Sequence, residues 1–197
     1  MFYIIAPVLG ILSGIVALLA YPPYIRDMLK GITKPERVSW LIWSVLSVIA
    51  LTSQIAAGAQ WSIIMTLAQT IGVVTVFLLS FKYGYGSLKR RDIISLITAG
   101  VGLIGWLVTG QSFVALLFVI IVDFAGAWLT VYKAYKDPES ETLVTWQLDT
   151  VSGMLGLLAV GSINFTLMLY PAYLLIANGS VVGAIYLARV KAKKLTN

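Results

Sequence analysis

The chain has 197 residues, of which 59% are hydrophobic and 11% charged, with a formal net charge of +6 and a mean hydropathy of +0.93. A water-facing globule is typically about 45–50% apolar and about 25% charged, so too little polar surface exists here to cover a soluble domain. Zero His and zero Cys exclude zinc and haem sites, thiol nucleophiles, disulfides and Ser-His catalysis, and leave the redox compartment unread.

In chain order, apolar runs predict seven membrane spans at 2–20, 40–57, 61–81, 93–109, 112–132, 146–161 and 165–187. The first run lacks a basic leader and a cleavage site, so it reads as a retained helix. The connections alternate in charge. Arg26, Lys30, Lys34 and Arg37 follow span one, and Lys82, Lys89, Arg90 and Arg91 follow span three. Lys133 and Lys136 follow span five, and Arg189, Lys191, Lys193 and Lys194 follow span seven, which accounts for all 14 basic residues. The other links, near 59–60, 110–111 and 162–163, are short and neutral. Positive-inside bias then sets the N-terminus outside and the C-terminus in the cytoplasm, in an integral protein of the plasma (inner) membrane. The positive charge points to anionic lipid headgroups at the cytoplasmic face and not to nucleic acid. Trp40, Trp146, Tyr24 and Tyr135 near the inner edge, with Trp61 and Trp106 near the outer edge, fit aromatic belts.

Laid on itself about 107 positions along, Ala20-Tyr21-Pro22-Pro23-Tyr24-Ile25-Arg26 falls on Ala127-Trp128-Leu129-Thr130-Val131-Tyr132-Lys133. One position fewer brings Ser39-Trp40 onto Thr145-Trp146. The reading is an all-α protein with a three-helix unit at 1–82, a connector helix at 83–110, and a second unit with its basic tail at 111–197. The odd connector restores the second unit to the orientation of the first. Parallel repeats of this kind place substrate sites near the midplane.

This 3+1+3 layout, with Tyr21-Pro22-Pro23-Tyr24 after span one and Lys34-Pro35-Glu36-Arg37-Val38-Ser39-Trp40 before span two, resembles the PQ-loop and SWEET sugar-transporter superfamily. Tyr24 stands where the Pro-Gln pair has its Gln, and span seven carries Pro171. Vitamin transporters of the nicotinamide-riboside type and KDEL-type sorting receptors share the layout. The resemblance implies a solute site between the third helices of the two units, where Asn178 matches a site Asn and Gln69 is a near match. Interhelical amide hydrogen bonding is the other reading of the pair.

Asp123 and Asp149 are the acidic residues inside spans. A charge at a helix centre costs about 2.5–3.5 kcal/mol on insertion scales. Asp123 falls ten residues from Lys133, about 15 Å along a helix, and no Lys or Arg shares its depth. Both carboxyls read as proton or cation sites, or else as hydrogen-bonded groups that fix packing. Pro22-Pro23 reads as a helix terminator or as a gate hinge. Gly10-xxx-Gly14 and Gly179-xxx-Gly183 read as close-approach spacings within the bundle. Glu36, Asp137, Glu139 and Glu141 pair with basic residues in the inner loops.

The function expected is transport of a small polar solute by alternating access, coupled to protons through Asp123, by a monomer or homo-oligomer. Gln69, Asn178 and Asp123 would bind, Asp123 and Asp149 would couple, and Pro22-Pro23 would hinge. The alternative is a seven-helix receptor or assembly protein. Neither an enzyme, a cofactor nor a metal is implied.

Overall fold

The computed structural model describes residues 2–32, 35, 37–84, 86–87 and 90–196. Lys34, Glu36 and Lys89, which belong to the basic connections read from the sequence, lie outside the described residues. Seven α-helices follow one another: α1 (Phe2–Leu29), α2 (Arg37–Ala56), α3 (Ile63–Tyr83), α4 (Arg90–Thr109), α5 (Ser112–Lys136), α6 (Leu143–Leu158) and α7 (Phe165–Thr196). A 3₁₀ turn at Pro138–Ser140 precedes α6, and the described residues contain no strand.

Five of the helices, α1, α2, α3, α5 and α7, are long and apolar enough to cross a membrane. The apolar part of α4 is Leu96–Thr109, and α6 has 16 residues, about 24 Å of helix against a hydrocarbon core of about 30 Å. Large apolar side chains such as Ile11, Ile15, Leu18, Leu78, Ile104 and Phe124 point outward. Ser13, Ser47, Gln54, Thr66, Gln69, Asp149 and Asn178 are buried. Polar-in and apolar-out is stable where the surroundings are themselves apolar, as in an integral membrane protein.

Helix ends depart from the hydropathy boundaries. α1 continues nine residues past position 20 and passes through Pro22 and Pro23, which corrects the terminator reading of that pair. The prolines withhold two amide donors from the carbonyls of Leu18 and Leu19, yet the flanking backbone stays helical. Thr145 of α6 donates to the Ala20 carbonyl at 3.1 Å in the same turn. At the neutral end, Gly58, Gly110 and Gly161 take φ of +80°, +67° and +70° just past α2, α4 and α6. That left-handed step ends each helix and lets the next start within a few residues.

Packing order differs from chain order. α3 lies between α1 and α2, and α7 lies between α5 and α6. α1 also packs on α6, and α2 on α5, which closes α1-α3-α2-α5-α7-α6 into a ring. α4 rests on the outside of the ring against α5 and α2. Gly10 meets the backbone of Trp61 and Gly14 meets Ile64, so that glycine pair serves the α1–α3 approach. Gly179 touches Thr150, whereas Gly183 has nothing within reach. The largest apolar cluster, including Leu46, Ile49, Leu116, Val119 and Val122, fills the space among α2, α5 and α7.

Candidate functional site

Two polar clusters stand inside the ring. The first joins α1, α3 and α6. The Tyr21 hydroxyl donates to Gln69 Oε1 at 2.6 Å, and Gln69 Nε2 donates to Asp149 Oδ1 at 3.0 Å. The two ends fix the sense of the amide: the carboxylate accepts, so the Gln nitrogen faces it and the Gln oxygen takes the phenol proton. Gly72 makes the contact sterically possible, because a Cβ there would fall inside the Tyr21 ring. Gln69 and Asp149 are each 8% exposed, so this chain of bonds is closed to bulk solvent.

The second cluster joins α2, α5 and α7. The Tyr173 hydroxyl donates to Asp123 Oδ2 at 2.6 Å, and the Trp43 indole lies beside the same carboxyl, with its Nε1 facing Gly126 of α5. Asp123 keeps part of its surface exposed. Trp43 continues into an aromatic column: its ring lies edge-on to Trp40 at 5.2 Å, and Trp40 meets Tyr24 of α1 at 5.0 Å. Tyr170, buried on α7, lies within electrostatic range of both Asp123 and Asp149.

The helix contacts set relative depth. Asp123 is level with Tyr173, while Gly179 meets Thr150, the neighbour of Asp149. The carboxyls are therefore about six residues apart along α7, or about 9 Å. Asp149 sits deeper than its closeness to Trp146 suggests, because Thr145 meets Ala20 well inside α1 rather than at its end. Gln69 is engaged by Tyr21 and Asp149, and not by Asn178. Asn178 is 8% exposed, lies level with Asp149, and has no hydrogen-bond partner among the described residues. The structure thus unites Gln69 with Asp149, sets Asp123 apart in its own cluster, and leaves the Asn178 amide unengaged. Pro22 and Pro23 follow Tyr21 directly, at the edge of the first cluster.

Tyr21, Gly72, Trp43, Tyr170 and Tyr173 were not among the residues expected from sequence. Tyr21 entered the sequence reading only within the repeated segment and the proline-bearing loop, and Gly72, Trp43, Tyr170 and Tyr173 did not enter it. The three-residue step from Gln69 to Gly72 and that from Tyr170 to Tyr173 were the available signals, each placing two groups on one helix face.

At the neutral end a cavity of about 340 Å³ is lined by Ala57, Gln111, Ser112, Phe113, Asn164 and Thr166. At the basic end Glu141 accepts from Lys133 at 3.0 Å and from Trp146 Nε1 at 3.1 Å, and Arg189 pairs with Glu139 at 2.9 Å. These ties hold the connection before α6 to α5 and α7. No group of three or more His, Cys, Asp or Glu able to hold a metal converges among the described residues. Comparison with known proteins finds no matching family model, no matching curated protein and no matching solved structure.

Proposed function

We infer that this protein is a membrane transporter that moves a small polar solute, of sugar, amino-acid or vitamin-like size, by alternating access. One observation carries the reading. Each polar cluster combines two helices of one three-helix unit with one helix of the other: α1 and α3 with α6, and α5 and α7 with α2. Those are the seams that must open and close when two units rock, and parallel repeats bind substrate between their halves. The packing of α3 between α1 and α2, matched by α7 between α5 and α6, supports a duplicated unit with α4 as connector. The PQ-loop and SWEET-like reading rests on the sequence resemblance alone. In this account all seven helices cross the inner membrane, with the N-terminus outside.

Gln69, Asn178 and Asp123 contact the solute, and Asp123 with Asp149 couples its movement to protons. Pro22 and Pro23 give α1 a point where bending disrupts two fewer hydrogen bonds. No step of covalent chemistry is involved.

The test is efflux from proteoliposomes loaded with a mixed pool of sugars, amino acids and vitamins, read by mass spectrometry at pH 5.5 and 7.5. Selective loss of one solute class against protein-free vesicles is the expected result. If Asp123→Asn leaves flux and its pH dependence unchanged, the coupling role is lost. Tight binding without net movement would transfer the assignment to a receptor or assembly protein.

A further inference from the structure

The surroundings of Asp123 narrow the solute class. This inference rests on the transport reading above and deepens it. Asp123 is the carboxyl with exposed surface, whereas Asp149 is covered by Gln69 and Tyr21. Its neighbours are neutral: Tyr173 donates to Oδ2, and the Trp43 indole lies beside it. All 14 Lys and Arg lie outside the central part of the spans, so no side-chain cation of this chain shares its depth.

The open depression at the neutral end lies over the ends of the same helices. Ala57 follows α2, Ser112 and Phe113 begin α5, and Thr166 begins α7, the three helices that supply Trp43, Asp123 and Tyr173. Asp123 is ten residues further along α5 than Phe113, about 15 Å, and Leu116, Val119 and Tyr170 close the space between. On the other side, Trp43, Trp40 and Tyr24 form a column of rings running toward the basic end. From the neutral end to the basic end this seam presents neutral polar groups first, then a carboxyl beside aromatic rings, then further ring faces and edges. Ring faces attract cations, Trp most strongly, and repel anions. The Tyr173 hydroxyl is already committed to the carboxyl and no cation stands beside it, so a solute is held best if it brings its own donors or positive charge.

We propose that the transported solute is an organic cation, an amine or quaternary ammonium compound, with Asp123 as its counter-ion and Trp43 and Tyr173 as the ring wall of its site.

The experiment compares matched pairs differing in charge alone. Purified full-length protein is dialysed to equilibrium against a series of ammonium ions from methylammonium to benzyltrimethylammonium. Choline is paired with its neutral carbon isostere 3,3-dimethylbutan-1-ol. At least one ammonium ion should bind ten times more tightly than its neutral counterpart. That preference should fall to near unity in Asp123→Asn and drop several-fold in Trp43→Leu. If Asp123→Asn does not fold, Tyr173→Phe, which removes the hydroxyl holding the carboxyl, replaces it and should lower the preference several-fold. The proposal is overturned if no ammonium ion outcompetes its neutral partner, or if the preference survives in the Asp123 and Trp43 variants alike. The same preparations in proteoliposomes separate this from the transport reading. Flux of neutral solutes with no ammonium preference retains transport and rejects the cation. Ammonium binding with no flux of any solute retains the cation site and rejects transport.

Discussion

The ring of Tyr21 occupies the volume that a side chain on Gly72 would need, and its hydroxyl is thereby carried to Gln69. Gly72→Ala must push the ring aside, an overpacking cost of about 1–3 kcal/mol. Tyr21→Phe, which keeps the ring and loses the hydrogen bond, should cost about 1 kcal/mol. The larger loss is expected for the glycine variant. In a Tyr21→Ala background the added methyl should cost nothing further, and thermal unfolding of the four proteins in detergent measures the coupling. Asp149 offers a second comparison. Asp149→Asn retains an oxygen for the Gln69 amide and should change stability by less than about 1 kcal/mol, whereas Asp149→Leu strands a buried donor at about 1–3 kcal/mol. Equal losses for the two variants would contradict the hydrogen-bonded geometry. Gln69 and Asp149 stand out in the sequence as polar residues in apolar runs. Their pairing, across 80 positions, exists only once α3 and α6 are neighbours.

Helix α1 shows what hydropathy reads and what it misses. The apolar run ends near position 20 because Pro, Tyr and Arg follow, but backbone hydrogen bonding carries the helix to Leu29. If Pro22 and Pro23 are the bending point of the transport cycle, the double alanine variant should stabilise the protein and slow solute flux several-fold. Stability and flux rising together would remove the hinge role. The glycines separate by backbone geometry in the same way. Gly110 has φ +67° in the link after α4, and Gly100 lies within α4 with open space at its Cβ position. Gly110→Ala should destabilise by about 1 kcal/mol and Gly100→Ala should stabilise by about 0.5–1 kcal/mol, because only the second keeps a conformation that alanine favours. Opposite shifts of the unfolding temperature are the expected outcome. That the neutral links would be short was legible from their few residues. Which glycine turns each chain reversal depends on where the preceding helix stops.

At the scale of the molecule, many large apolar side chains face outward while Ser13, Ser47, Gln54, Thr66, Gln69, Asp149 and Asn178 are buried. With no cysteine in the chain, single cysteines report topology without background. Gln60→Cys, in the α2–α3 link, should react with a membrane-impermeant maleimide on intact cells. Lys191→Cys, near the basic end of α7, should react only after permeabilisation. The reverse pattern would invert the orientation, and labelling of both on intact cells would mean that the two ends do not lie on opposite faces.

Composition and the spacing of charges sufficed for an all-helical chain with spans long and apolar enough for a membrane, since lipid demands long apolar helices and leaves the cations in the connections. The same arithmetic marked Asp123, Asp149, Gln69 and Asn178 as costly residues to bury. It was silent on their partners. Periodicity describes one helix at a time, and the hydrogen bonds that compensate a buried carboxyl come from other helices far along the chain. Only the packing order, with α3 between α1 and α2 and α7 between α5 and α6, decided that Gln69 and Tyr21 serve Asp149. It also decided that Tyr173 serves Asp123 with Trp43 beside it, and that the Asn178 amide stands apart from both.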